Sequence, residues 1–289
     1  MLAIFCIAPA WASAAAASAS GTSVTVNPLS GTDSSVCNVA PPCKTIAYAV
    51  KTIGASFVSL SAGVFNESTV NLSNVTSLVI SGVPSATVFD CSSRLANKGA
   101  AFIIFNSTVT ITGVTFQSCS NPTSNGGAVS ASGSSIVVLQ CSFINCSAAS
   151  GGAMSVTGSS SDLFLNVQNS NFTLNSAIGG LSGCPADVAQ PCSTWGGAIA
   201  AFEMLNVTIS GCVMIENSAR AYVPTASGQF NASGNAVVGG GCVSVLFSGN
   251  SSGSSVNVRG STFLKCAVTL TIGDNVNVGN GMWKFRALV

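Results

Sequence analysis

The sequence predicts an all-β fold, a parallel β-helix solenoid with a short N-terminal capping helix. Three observations predict it. Gly, Ser, Ala, Val, Asn and Thr dominate the composition, and turn formers mixed with β-branched residues suit many short strands joined by tight turns. Two short motifs recur along the chain in a fixed phase, the signature of a repeat architecture. A solenoid also absorbs all 289 residues as one unit, because each coil buries its core against its neighbours.

The first motif aligns five segments, 111–119, 138–146, 167–175, 209–217 and 258–266. One column is aromatic or Met: Phe116, Phe143, Phe172, Met214 and Phe263. Three residues on, a second column holds Cys119, Cys146, Asn175, Asn217 and Cys266. Two residues before the aromatic, a third holds Val114, Cys141, Ser170, Cys212 and Ser261. The second motif is Gly126-Gly127-Ala128-Val129, Gly151-Gly152-Ala153-Met154, Gly196-Gly197-Ala198-Ile199 and Gly239-Gly240-Gly241-Cys242-Val243. The aromatic column advances by 27, 29, 42 and 49 residues, and the two long steps contain insertions around 184–192 and 222–235. If each unit is one coil, equivalent residues lie about 4.8 Å apart. Inward Phe then stacks on inward Phe, and an inward Asn bonds its neighbours above and below. The Gly pair supplies positive φ and close backbone approach where the coil bends.

Along the chain, residues 1–20 read as a secretory signal peptide. An apolar run over 2–11 leads into small residues, with Ala12-Ser13-Ala14 and Ala17-Ser18-Ala19 as small-x-small sites, although only the α-amino group supplies positive charge ahead of it. Residues 21–55 hold an N-terminal strand at 24–27 and the capping helix. Apolar Ile46, Ala49, Val50 and Ile53 have helical spacing, and Gly54 ends the run. A helix here would cover the strand edges of the first coil. Residues 56–289 form the parallel β-helix, with early strands expected at 57–60, 78–81, 87–90, 102–105 and 109–111. The stretch 275–289 shows no coil or capping motif, the pattern of a truncated gene product.

The opening contains Gly31-Thr32-Asp33, Pro42-Cys43-Lys44-Thr45-Ile46 with Ala49, and Gly63-Val64-Phe65. It resembles the start of many pectin-lyase-like right-handed β-helix proteins. The later repeats resemble those of the polymorphic outer membrane proteins, which carry a Gly-Gly-Ala-Ile tetrad and a Phe-x-x-Asn tetrad. Gly196-Gly197-Ala198-Ile199 and Phe172-Thr173-Leu174-Asn175 match both in full; elsewhere Cys often replaces Asn, and Met once replaces Phe. The resemblance covers roughly residues 24–270 and implies a right-handed coil. It says little about function. The membrane barrel of the bacterial members has no counterpart in this sequence, so their autotransporter role does not carry over.

Nine Lys/Arg against eight Asp/Glu, a net charge of +1, argue against nucleic acid or an anionic membrane surface as partner, and no membrane span is expected. There is no histidine and no CxxC among the twelve cysteines, so a zinc site is not expected. The thiols read as disulfides of an oxidising compartment. Cys37–Cys43 and Cys184–Cys192 each close a short loop, while Cys141 and Cys146 serve as small core residues or pair with other coils. Eleven cysteines follow residue 20, which leaves at least one thiol unpaired or paired outside the chain. Nine Asn-x-Ser/Thr sequons, at Asn66, Asn71, Asn74, Asn106, Asn145, Asn171, Asn206, Asn231 and Asn250, modestly exceed the roughly five that chance would place.

Two functions are weighed. The first is a secreted or cell-surface structural or adhesion-type module, non-catalytic, meeting extracellular glycans or surface proteins. The alternative is a carbohydrate-active enzyme, a polysaccharide lyase or glycoside hydrolase. Glycan cleavage needs paired carboxylates or a base beside a cation. The acids are scattered: Asp33, Glu67, Asp90, Asp162, Asp187, Glu203, Glu216 and Asp274. Glu203 and Glu216 share a coil, with Asp187 in a nearby insertion, so they form the one candidate cluster, and Arg220 and Tyr222 open the second insertion. These read as solvated turn carboxylates and surface packing, and Asp90 as a turn-forming acid. No catalytic, cofactor-binding or metal-binding residue is assigned.

Overall fold

Each coil is built from strands of two to six residues in which inward apolar and outward polar side chains alternate. The strand Thr108–Thr112 reads Thr-Val-Thr-Ile-Thr, and only Val109 and Ile111 are buried. The computed structural model describes residues 21–92, 99–158, 163–179, 194–204, 206–223, 238–246 and 255–272. The signal-peptide reading of 1–20, the Cys184–Cys192 pair and the 275–289 tail lie outside them.

One coil shows the plan. Thr108–Thr112, Thr115–Gln117, Ser120–Asn121 and Val129–Ser132 follow each other along four sides. Their equivalents in other coils stack into sheet 1 (eight strands), sheet 2 (seven), sheet 3 (five) and sheet 4 (six) among the described residues. Pairing is parallel within each sheet, for example Ile136 beside Val109 and Leu165 beside Ile136. This is the arrangement of a parallel β-solenoid, and the chain is mostly β-structure as its composition requires.

A single left-handed residue turns the chain at each side. Gly113, Gln140, Asn169, Gly211 and Gly260 turn it from sheet 1 to sheet 2, with φ between 49° and 65°. Ser118, Asn145, Leu174, Glu216 and Lys265 turn it from sheet 2 to sheet 3. Asn74, Asn106, Gly133 and Glu203 turn it into sheet 1. The fourth corner is the Gly-Gly motif, and it demands both glycines. Gly151 has φ +61°. A Cβ on Gly152 would collide with the carbonyl oxygen of Gly197 in the next coil and lie 2.6 Å from the Ser176 nitrogen.

Inside sheet 2 the aromatic column is continuous. Phe116–Phe143 and Phe143–Phe172 stack with ring centroids 5.1 and 4.7 Å apart, nearly parallel. Met214 continues the column, buried and in register with Phe172, and Phe263 keeps the register at 41% exposure. The column also begins earlier than the repeat suggests: Phe65 and Phe89 stack below Phe116 at 5.1 and 5.5 Å.

The next inward position is a polar ladder. Asn175 Oδ1 accepts from the Cys146 N–H at 2.9 Å, and its Nδ2 donates to the Phe143 carbonyl at 3.0 Å. Asn217 Oδ1 accepts from both the Asn175 N–H and Nδ2, and its own Nδ2 donates to the Phe172 carbonyl. Each buried amide therefore meets partners in adjacent coils, as the expected ladder requires. A smaller hydroxyl ladder at the entry to sheet 1 was not anticipated: the Val75 N–H donates to Ser107 Oγ and the Ser107 N–H to Ser134 Oγ.

Near the start, helix α1 (Ile46–Lys51) packs against the strands Thr22–Val26, Ala55–Leu60 and Val70–Ser73 and buries Ile46 and Ala49. Its first turn is held by oxygens from three places. Thr45 Oγ1 accepts from the Tyr48 N–H, Asp33 accepts from the Lys44 and Thr45 N–H groups, and Glu67 accepts from those of Ile46 and Ala47. These are the donors a helix leaves unpaired at its N-terminus, where negative charge is also favoured.

Candidate functional site

The structure accounts for five of the eight acids. Asp33 and Glu67 hold the N-terminus of α1, which sequence reading took for solvated turn positions; their partners are 12 and 21 residues distant in the chain. Asp90 accepts the Ser92 N–H at 2.9 Å, and that bond holds its carboxyl below the usual range. Glu216 receives the Lys265 ammonium at 2.6 Å on the solvent side of the corner after sheet 2. Lys265 is thereby held above its ordinary value, first by this hydrogen bond and then by the charge.

Glu203 stands at a different corner, where sheet 4 hands over to sheet 1. The strands Asn206–Ser210 and Val213–Ile215 separate it from Glu216. The shared coil thus spreads these two acids over two corners. Arg220 is exposed on the sheet 3 strand Ser218–Val223. The backbone of Tyr222 follows on that strand. Asp162, Asp187 and Asp274 lie outside the described residues. Among the described residues no group of three or more His, Cys, Asp or Glu is placed to hold a metal ion, and no helix is long and apolar enough to cross a membrane.

Cysteine chemistry is structural. Cys37–Cys43 is a disulfide, as its short loop predicts. Two more pairs, Cys91–Cys119 and Cys242–Cys266, join residues 28 and 24 apart. Sequence spacing did not reveal them, because partners in stacked coils need share no local motif. Cys141, Cys146 and Cys212 are free and buried. Burial pushes the thiols of Cys141 and Cys146 up to about 12 and that of Cys212 upward, so none is poised as a nucleophile.

Among the described residues, the sheet with the most strands, and so the longest regular outer face, is sheet 1. Its eight strands, spaced at about 4.8 Å, extend over about 34 Å. Two outward columns run its length in register. One is Ser23, Phe57, Val79, Thr110, Val137, Asn166, Thr208 and Asn257. The other is Thr25, Ser59, Ser81, Thr112, Leu139, Gln168, Ser210 and Arg259. Arg259 is the only ionisable side chain in the two columns, and it sits at the last strand. The rest offers hydroxyls and amides beside small apolar patches, partly organised among themselves, as where Gln168 Nε2 donates to Asn166 Oδ1 at 3.0 Å. Such a face makes hydrogen bonds and van der Waals contact but has nothing to move a proton at neutral pH. The signal for it was in the sequence, in the alternating strands, but only the register shows that the outward residues align.

Compared with protein-family models, with curated proteins and with solved structures, the chain matches none of them.

Proposed function

We propose that this chain is a secreted or cell-surface structural module of the adhesion type, which presents the outer face of sheet 1 to extracellular glycans or surface proteins. The observation that carries the reading is that face: a long, regular, nearly uncharged array of hydroxyls, amides and apolar side chains. Three disulfides among the described residues support an oxidising compartment, and with it an extracellular or cell-surface location. In this reading the coil is right-handed, as parallel crossovers nearly always are. The chain is then akin to pectin-lyase-like β-helices with repeats of the polymorphic-outer-membrane-protein type, and α1 caps the first coil. The Gly-Gly corners and the Phe-x-x-Asn column support that kinship.

The test pairs binding with turnover. The purified chain is passed over immobilised neutral and uronate polysaccharides and over cell-surface material, then incubated with the same polysaccharides with and without calcium. The adhesion reading expects retention that is lost in the Thr110→Glu/Asn166→Glu variant, with no release of new sugar ends. Sustained release of reducing or unsaturated ends, abolished by Glu203→Gln or Glu216→Gln, would overturn it in favour of an enzyme.

A further inference from the structure

Among the large apolar side chains that the described residues leave in water, which include Leu29, Val39 and Val64, four fall in two places beside corners on the outside of the solenoid. On sheet 4, Ile103 is 41% and Phe105 48% exposed. On sheet 2 and the corner after it, Ile144 is 37% and Leu174 48% exposed. A group held beside such side chains removes them from water with a gain that scales with the apolar area it covers.

Sequons border both places. In the first, Ser73 lies beside Phe105 in register, the Asn74 N–H donates to the Phe105 carbonyl at 3.0 Å, and Asn106 directly follows Phe105. In the second, Asn145 directly follows Ile144 and its N–H donates to the Thr173 carbonyl at 2.9 Å, while Asn171 opens the neighbouring strand opposite Ser142. Asn74, Asn106 and Asn145 are corner residues with φ of 58°, 46° and 53°.

Burial sorts the asparagines in the same sense. All seven described sequon asparagines, at 66, 71, 74, 106, 145, 171 and 206, are exposed. The three buried ones, Asn121, Asn175 and Asn217, head no sequon. Asn121 comes nearest, but Pro122 stands between it and Thr123, and proline at that position bars the modification.

We propose that N-linked glycans on Asn74 and Asn106, and on Asn145 and Asn171, are the occupants of these two apolar patches. The inference rests on the secretory reading above. The donor is an oligosaccharide on an isoprenoid pyrophosphate. The side-chain amide nitrogen forms a bond to its anomeric carbon, the bond from that carbon to the pyrophosphate oxygen breaks, and the amide proton lost is taken up by base as the isoprenoid pyrophosphate leaves. The first sugars, anchored one residue from Phe105 and Ile144, lay their C–H faces over these side chains and remove them from water.

The test expresses the full chain in a eukaryotic secretory host, once with its own first twenty residues as leader and once behind a host leader. Glycopeptide mapping should find sugar on the four asparagines. Enzymatic removal of glycans from the folded protein, or the Asn74→Gln/Asn106→Gln/Asn145→Gln/Asn171→Gln variant, should raise hydrophobic-dye fluorescence and self-association several-fold. Adding Ile103→Thr, Phe105→Thr, Ile144→Thr and Leu174→Thr should reverse the rise. The Asn66→Gln/Asn206→Gln variant should leave both readings at the level of the parent. Bare asparagines at the four positions, or no rise on deglycosylation beyond that of the Asn66→Gln/Asn206→Gln control, overturns the proposal. Failure of only the own-leader form to reach the medium counts against the reading of residues 1–20, and the host-leader form still decides the glycans.

Discussion

The opening of the chain, residues 22–91, and the repeating coils, residues 99–217, are one solenoid held in two ways. In the repeats the aromatic column and the Gly-Gly corner recur in successive coils, so Phe143 and Gly152 are flanked by their like above and below. The opening has no sheet 3 strand and no Gly-Gly corner among its described residues. There, order comes from contacts unique to the place: α1, the carboxylates of Asp33 and Glu67 at its first turn, and the Cys37–Cys43 disulfide. The difference teaches that a column fault is shared between coils, whereas a fault in the opening stays local.

The sharpest way to break this contrast is at the Gly-Gly corner. Gly152→Ala puts a methyl group into the backbone of the next coil, where no flexible side chain can yield. Its cost is expected at about 4 kcal/mol or more, seen as loss of the cooperative melt. Phe143→Ala empties the middle of the stack and should cost about 3–5 kcal/mol by denaturant titration. Asn175→Ala leaves the Cys146 N–H, the Phe143 carbonyl and one partner of Asn217 unmatched, for about 2–3 kcal/mol. In the opening, Glu67→Ala removes acceptors from two helical N–H groups and should cost about 1 kcal/mol, with hydrogen exchange rising in α1 and not in the coils after Phe102. An equal loss of protection across both regions would show that the two are not separable.

The smallest effect expected is no effect. Cys141 and Cys146 should resist alkylation in the native protein at pH 8 and react once it is unfolded. The sign of the linked stability follows from the thiol shifts. The folded protein keeps these protons up to about pH 12, while the unfolded chain releases them from about 9, so stability falls as pH climbs between the two values. Rapid labelling of the folded protein at pH 8 would instead place these thiols at the surface.

The repeating coils were legible because their side chains recur at fixed offsets. The column from Phe116 to Met214, the Asn175–Asn217 ladder and the Gly-Gly corners all stand where the pattern places them. The strands expected at 78–81, 87–90 and 102–105 stand at those positions. Phe65 and Phe89 escaped because their coils lack the partner motif; Phe89 is followed by Cys two residues on, where later coils place it at three. Corner residues such as Gln140 and Leu174 escaped because neither is a habitual left-handed residue; the stack on both sides imposes the turn. The pairing of Cys91 with Cys119 and the docking of Glu67 onto α1 were invisible for a third reason, since both depend on which coil lies beside which. The face of sheet 1 was readable strand by strand, but not as a surface.

The Cys91–Cys119 disulfide has a consequence for how the molecule bears load. A solenoid pulled at its two ends peels open coil by coil, each coil paying out its full length of chain. The 28-residue separation of these cysteines would release about 95 Å of extended chain. With the disulfide in place the tether passes through the sulfurs instead, across Cα atoms only 4.7 Å apart. That loop stays out of the extension until the disulfide is reduced. Another pair, Cys242–Cys266, withholds a separation of 24 residues, about 80 Å more. A stretched molecule would therefore stop short of its contour length by these two long loops, besides the short Cys37–Cys43 loop, until a reductant restores them, and the coils enclosed by these bonds would survive tension that opens their neighbours.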